Sequence, residues 1–129
     1  MTVSIARDIL RALFDGATAA PDREICGLLF GSPIRIDRAE PADNVAERPR
    51  DTFEIDPRAL IAALRAERAG GEQVIGHYHS HPNGSAEPSP RDLAAAEPGR
   101  LWLIIGGGAA RLWIMENGAF RELKLVVTD

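Results

Sequence analysis

All three histidines of the chain, His77, His79 and His81, lie in one short stretch. Imidazole nitrogens bind catalytic zinc, which takes three protein ligands and keeps a fourth position for water. Residues two apart on a strand face the same side, so these side chains could share one face. The stretch therefore predicts a metal site, and zinc is the metal that we expect.

Spacing limits which of the histidines can share one ion. At a rise of about 3.3 Å per residue, His77 and His81 lie roughly 13 Å apart along a strand, too far for a single zinc. Neighbouring histidines lie roughly 7 Å apart and can converge on one ion. The pair is therefore His77 with His79 or His79 with His81. Pro82 favours the second pair, because it ends the strand at His81 and turns the chain into a loop.

A carboxylate thirteen residues after His79 could complete the ligand set. Ser89 followed by proline is typical of a helix start, and Asp92 then falls at the third helical position. Its ordinary role there is to stabilise the helix N-terminus. Helical side chains lean toward the N-terminus, however, so this carboxylate also points back toward the loop that carries His81. Beside the histidines, we interpret Asp92 as the third ligand.

A water bound to such an ion needs a base to take its proton, and two carboxylates qualify. Glu87 lies in the polar loop between the ligands, where a solvated charge is the ordinary interpretation. Glu24 precedes the apolar segment Ile25–Phe30, which is typical of a strand. The residues alone leave the choice between Glu24 and Glu87 open.

Two separated blocks of the sequence together resemble one known family. The block from His79 to Asp92 reads His-Ser-His, seven residues, Ser, two residues, Asp. The block from Glu24 to Gly31 reads Glu-x-Cys-Gly-Leu-Leu-x-Gly. Both match signatures of the JAMM (MPN-plus) zinc metalloproteases in spacing and residue type. The chain is similar to the compact prokaryotic branch of that family.

The resemblance implies a role for each residue of the two motifs. His79, His81 and Asp92 would be the zinc ligands. Glu24 would be the general acid and base, which decides the choice that the residues leave open. Ser89 would donate a hydrogen bond that steadies the tetrahedral intermediate. These five residues are the predicted site.

The resemblance also implies a fold and an activity. The fold would be α/β and cytidine-deaminase-like, a mixed β-sheet flanked by helices. The activity would be hydrolysis of a peptide or isopeptide bond, after the C-terminal Gly-Gly of a ubiquitin-like or sulfur-carrier protein. We expect that tail to bind in extended form along a strand edge. His77 stands where many members have an aromatic residue, and we expect the replacement to be harmless.

Two other functions compete with this one. A scaffold that keeps the fold without catalysis is disfavoured, because such relatives typically lack metal ligands and this chain has the full set. A zinc amidohydrolase acting on small molecules could use the same site. No sequence motif separates that activity from peptide hydrolysis.

Composition sets the remaining expectations. The 129 residues are 45% hydrophobic and 26% charged, which predicts a single globular domain over residues 1–129. A formal net charge of −4 predicts neither nucleic acid nor an anionic membrane as a partner. No apolar run approaches the roughly 20 residues that span a bilayer. A single cysteine, Cys26, cannot form an internal disulfide and suits the cytoplasm.

Apolar periodicity and turn residues predict the elements that must position the site. The first helix would be capped by Ser4, and the second by Asp56 ahead of Pro57. Residues 32–52 would form an exposed loop with a short strand at 34–36. The other predicted elements are strands at 25–30, 53–55, 74–79, 101–105, 111–115 and 120–127, and a short helix after Ser89. Because strands and helices alternate irregularly, we expect a mixed sheet.

Overall fold

The computed structural model describes every residue from Met1 to Asp129. Seven strands and three helices follow one another along the chain. In order they are β1 (Thr2–Ala6), α1 (Arg7–Ala19), β2 (Cys26–Ser32), β3 (Arg35–Ala42), α2 (Pro57–Arg68), β4 (Val74–Ser80), α3 (Pro90–Ala95), β5 (Leu101–Gly106), β6 (Ala109–Glu116) and β7 (Ala119–Thr128).

The strands form one sheet in the order β1-β3-β2-β4-β5-β6-β7, which closes because β1 also pairs with β7. The β1–β3, β1–β7 and β4–β5 pairs are parallel, whereas the other pairs are antiparallel. The predicted mixed sheet flanked by helices is therefore confirmed.

One apolar cluster lies on each face of the sheet. On one face, Leu13 of α1 packs into a large core that includes Leu29 of β2. On the other face, Ala63 of α2 packs against Leu28 and Phe30 of the same strand. Successive strand residues point to opposite faces, so β2 contributes to both clusters. This double burial explains why the segment after Glu24 is almost continuously apolar.

The N-terminal prediction is wrong, because Ser4 lies within strand β1 and does not cap a helix. Val3 and Ile5 are fully buried on either side of it, in the alternation of a strand. The partner of Val3 is Leu125 of β7, at the far end of the chain. The first helix begins after this strand, at Arg7.

The loop predicted for residues 32–52 is also wrong in part. Arg35–Ala42 form a full strand, β3, which pairs with β2 along its length. Only Ile36 of this strand is buried, so its sequence has the polar character of a loop. The strand predicted at 53–55 is reduced to one isolated bridge between Asn44 and Ile55.

The helix starts predicted from proline are confirmed. The Asp56 side chain accepts a hydrogen bond from the backbone N–H of Arg58 at 3.0 Å, and Pro57 opens α2. Ser89 caps α3, which Pro90 opens. No helix of the chain combines the length and the apolar character needed to cross a membrane.

Antiparallel pairing of β2 with β4 brings the two sequence motifs together. Cys26 of β2 lies opposite His79 of β4, so Glu24 is carried to the same end of the sheet as the histidines. Ile25 and Ser80 close this end with two hydrogen bonds: Ile25 N–H donates to Ser80 Oγ at 2.9 Å, and Ser80 N–H donates to the Ile25 carbonyl at 3.0 Å.

Candidate metal centre

Three predicted ligands converge at the end of β4. The Nε2 atoms of His79 and His81 are 3.0 Å apart. The Asp92 carboxylate lies 3.1 Å from His81 Nε2 and 3.3 Å from His79 Nε2. All three residues are buried. The spacing allowed either His77 with His79 or His79 with His81 to share a metal ion. The structure brings His79 and His81 together.

The spacing of these atoms fits a tetrahedral zinc ion. Ligand atoms bound at about 2.0–2.1 Å in a tetrahedron lie about 3.3–3.4 Å from one another. The observed separations of 3.0, 3.1 and 3.3 Å are close to that value. Two imidazoles and one carboxylate are also the donor set of catalytic zinc sites that keep one position open. The residues present therefore fit the metal that the sequence predicts.

A backbone carbonyl sets the state of the His81 ring. Nδ1 of His81 lies 2.7 Å from the Ser85 carbonyl oxygen and donates its hydrogen there. In the neutral ring Nε2 then carries the lone pair and faces Asp92 and His79, which is the tautomer that binds a metal. For His79, by contrast, burial lowers the pKa of the ring and favours its neutral form, while Nδ1 has no hydrogen-bond partner.

Asp92 caps its helix and also faces the two imidazoles. Ser89 N–H donates to Asp92 Oδ2 at 2.8 Å, and Asp92 N–H donates to Ser89 Oγ at 3.1 Å, which is a complete capping box. Burial alone would raise the pKa of Asp92, but the close contacts with the His79 and His81 rings and the hydrogen bond from Ser89 N–H outweigh it and hold that pKa well below its usual range. The carboxylate is thus charged and faces both imidazoles.

The Glu24 side chain lies close to this cluster and makes no hydrogen bond to it. A carboxylate oxygen lies within 4.8 Å of a ring nitrogen of both His79 and His81. Its Oε1 atom is buried and has no hydrogen-bond partner. Burial raises the pKa of Glu24 to about 7, against the opposing effect of His81. A buried carboxyl with such a pKa exchanges protons near neutral pH.

Glu87, the other candidate base, lies away from the cluster. Its carboxylate binds Arg111 of β6 at 3.0 Å, and 65% of its side-chain surface is exposed. Glu24 and His81 instead both line a cavity of about 320 Å³ that opens to solvent. The geometry therefore favours Glu24 as the group that reactants reach.

His77 does not join the cluster. It belongs to an aromatic group in which its ring meets Trp102 edge-on at 4.3 Å and lies 5.4 Å from Phe53. Burial lowers the pKa of His77 to about 3, which keeps the ring neutral. His77 thus packs among aromatic rings, at a position where many members of the resembled family have an aromatic residue.

Two residues outside the sequence motifs lie next to the site. Phe53 stacks on the His79 ring with centroids 4.2 Å apart. Asn44 donates from Nδ2 to the Glu24 carbonyl at 2.9 Å. Both lie in the irregular segment between β3 and α2, where no residue spacing predicts which side chains turn toward the site.

Comparison with known proteins identifies the family. The profile of the family described as prokaryotic homologs of the JAB domain (Prok-JAB) matches residues 6–121. A desampylase of Haloferax volcanii is 39% identical over 129 residues, which cover 95% of this chain and 91% of the relative. A probable TtuB-protein conjugate cleaving protease of Thermus thermophilus is 37% identical over 99 residues, which cover 77% of this chain and 66% of the relative.

A solved structure agrees with the fold. The solution structure of a protein from Desulfitobacterium hafniense superposes with a TM-score of 0.85 at 25% sequence identity. The match covers 99% of this chain and 94% of that protein. Agreement over nearly the whole of both chains supports the arrangement of strands and helices around the site.

Proposed function

Because the chain belongs to the family of prokaryotic JAB-domain homologues, we propose that it is a zinc-dependent hydrolase of peptide or isopeptide bonds. Its substrates are conjugates of small ubiquitin-like or sulfur-carrier proteins. The observation that carries the proposal is the buried, unpartnered carboxylate of Glu24 beside the convergent His79, His81 and Asp92. The names of the related desampylase and conjugate-cleaving protease support the substrate class.

Each residue of the site has a separate part in the proposed reaction. His79, His81 and Asp92 would hold the zinc ion, which would supply a Lewis acid for the scissile carbonyl and the attacking water. Glu24 accepts a proton from the attacking water and returns it to the leaving amine nitrogen. Burial raises the pKa of Glu24 in the metal-free site to about 7, which favours a carboxyl that can return a proton as well as accept one. Ser89 uses its Oγ to accept from Asp92 N–H, so its hydroxyl hydrogen is available to the oxyanion of the tetrahedral intermediate.

Strand β3 offers an open edge for an extended substrate tail. It pairs with β1 only at Arg35 and Ile36, so the outer edge of residues 37–42 has no strand partner. Beside this edge a groove of about 860 Å³ runs between α1 and β3 and reaches Glu24. A tail added along the edge would gain main-chain hydrogen bonds. Glycines at its end would let the backbone approach the buried carboxylate without a side-chain collision.

Residues 1–129 are proposed to act as one domain. The main core contains Val3 of β1 and Leu123 of β7 together, so both ends of the chain belong to the same packed unit. The cytoplasmic location expected from the sequence stays a prediction.

The test uses two fusion substrates. One is a sulfur-carrier protein that ends in Gly-Gly and carries a C-terminal peptide extension, and the other has Ala-Val in place of Gly-Gly. We expect cleavage after Gly-Gly only, lost on zinc chelation and restored when zinc is added. Mass spectrometry of the products identifies the bond that is cut.

Other outcomes separate the alternatives. Equal cleavage of both fusions would reject selection of the Gly-Gly tail. Hydrolysis of small amides without cleavage of any peptide or isopeptide bond would point to an amidohydrolase. A protein that binds zinc and hydrolyses neither class would be a scaffold.

A further inference from the structure

His79 is fully buried, yet its Nδ1 atom has no hydrogen-bond partner. A histidine that binds a metal almost always donates its second ring N–H to a carboxylate, a carbonyl or water, and this bond fixes the plane of the ring. His81 follows that rule through the Ser85 carbonyl at 2.7 Å. The orientation of His79 must therefore be set by other contacts.

Aromatic rings supply those contacts. Phe53 lies nearly parallel to the His79 ring, with an interplanar angle of 20° and centroids 4.2 Å apart. Trp102 meets the same imidazole edge-on, at 5.7 Å and 85°. A flat ring stacked on one face and another packed at the edge leave little space for rotation about the Cβ–Cγ bond.

Phe53 is itself held from both sides by one amide. Asn44 donates to the Thr52 carbonyl at 3.1 Å, and its Oδ1 atom accepts from Glu54 N–H at 3.0 Å. Thr52 and Glu54 are the two neighbours of Phe53 in the chain. The same Nδ2 group donates to the Glu24 carbonyl at 2.9 Å. One side chain thus ties the segment that carries Phe53 to the residue proposed as the base.

We propose that Phe53 is a positioning residue, whose stacked ring holds the imidazole of His79 in the plane required for zinc in place of the missing Nδ1 hydrogen bond. The inference rests on the proposed function, because it takes His79 as a ligand. The stacked contact requires a flat ring at this position, so apolar bulk alone is not sufficient. Phe53 acts through His79 and does not itself touch the substrate bond.

The experiment measures zinc directly. Zinc is removed from the protein, and the dissociation constant of added zinc is determined by competition with a chelating dye. Cobalt is then substituted, and its visible absorption reports the geometry of the ligands. We expect Phe53→Ala to weaken zinc about 10- to 100-fold, the effect typical for loss of a group that orients a ligand, and to change the cobalt spectrum. Phe53→Tyr should restore both to near the wild-type values.

Two further variants separate stacking from packing. Phe53→Leu keeps an apolar side chain of similar size, and we expect it to weaken zinc nearly as much as Phe53→Ala does. Phe120→Ala is the matched control, because Phe120 contacts Trp102 at 5.2 Å and makes no aromatic contact with His79. It should leave the zinc dissociation constant and the cobalt spectrum unchanged.

The results distinguish this inference from the proposed function. Wild-type affinity and an unchanged cobalt spectrum in Phe53→Ala, or full restoration by Phe53→Leu, would overturn the role of Phe53 while the zinc site remains. Failure of the wild-type protein to bind zinc would overturn both. If Phe53→Ala does not fold, the comparison of Phe53→Leu with Phe53→Tyr decides.

Discussion

Glu24 combines burial with the absence of any partner for its Oε1 atom. An unpaired buried carboxylate costs stability, so its position between β2 and the histidines calls for a functional reason. We expect Glu24→Gln to bind zinc as the wild-type protein does, because the proposed ligands are His79, His81 and Asp92 and Glu24 is the proposed base. Turnover should fall by about 10²–10⁴, the usual contribution of positioned proton transfer. Metal analysis and single-turnover rates measure the two effects.

The control for that variant is Glu87→Gln. Glu87 is largely exposed and pairs with Arg111, so its replacement should leave turnover close to that of the wild-type protein. A fully active Glu24→Gln together with an inactive Glu87→Gln would assign the base to Glu87.

Asp92 can be tested as a ligand without removal of its cap. Asp92→Asn keeps a side-chain oxygen that can accept the N–H of Ser89, whereas it loses the charge that faces His79 and His81. We expect α3 to persist in circular dichroism and zinc to be largely lost on metal analysis. His77→Ala should retain zinc, since His77 lies outside the cluster. Full zinc occupancy in Asp92→Asn would remove Asp92 from the ligand set.

Among the elements, β6 and the end of β5 hold the loop that follows His81. Trp113 Nε1–H donates to the Ala86 carbonyl at 3.1 Å. A Cβ atom on Gly106 would lie only 2.4 Å from the Ser85 oxygen, the acceptor that orients the His81 ring. Strands β5 and β6, which follow the motif in sequence, thus help to orient one of the proposed ligands.

This arrangement predicts an effect at a distance from the metal. Gly106→Ala should displace the Ser85 carbonyl and weaken zinc binding roughly 10-fold, within the range for groups that orient a ligand. Trp113→Phe loses only the hydrogen bond to Ala86, so we expect a smaller change of the same sign. Dye competition gives both dissociation constants, and thermal unfolding of the metal-free proteins shows whether the fold is intact. Unchanged zinc affinity in Gly106→Ala would contradict the role of this contact.

The sequence predicts those elements that local signals define. The starts of α2 and α3 follow from a capping residue and proline, which act within one turn of helix. Strand β1 could not be found in this way, because Val3 is buried by pairing with Leu125, more than a hundred residues later. Strand β3 is mostly exposed and therefore lacks the apolar alternation that marks a strand.

The same division applies to the site. His79, His81 and Asp92 lie on β4, directly after it and on α3, within fourteen residues of sequence, so their convergence could be predicted. The contact of Phe53 with His79 depends on how an irregular segment folds back over the sheet, and no spacing in the sequence encodes it. Why His77 replaces an aromatic residue becomes clear only from its place between Trp102 and Phe53.

At the scale of the whole molecule, β1 closes the sheet by joining β3 to β7. Ile5 is fully buried and pairs with Ile36 on one side and Val127 on the other. We expect Ile5→Ala to lower the free energy of unfolding by about 2–5 kcal/mol, the usual cost of this truncation in a core. Urea unfolding of the metal-free protein, followed by tryptophan fluorescence and circular dichroism, measures the change.

The two probes should report a single transition, because the core includes both ends of the chain. The control for Ile5→Ala is Ile61→Ala. Ile61 lies on α2 and is 49% exposed, so its truncation should change the free energy of unfolding by less than about 0.5 kcal/mol. Two separate transitions would contradict the single-domain proposal.

The open edge of β3 has a consequence for how copies of the protein behave at high concentration. Unpaired strand edges invite pairing with the same edge of another molecule, which leads to aggregation. Here the exposed edge carries Asp37 and Pro41, a charge and a residue without an N–H, and both are features that oppose indefinite strand addition. A protein that binds a substrate tail along this edge must pair with that tail and yet not pair with β3 of another copy. We expect the open edge of β3 to allow the first, and Asp37 and Pro41 to oppose the second.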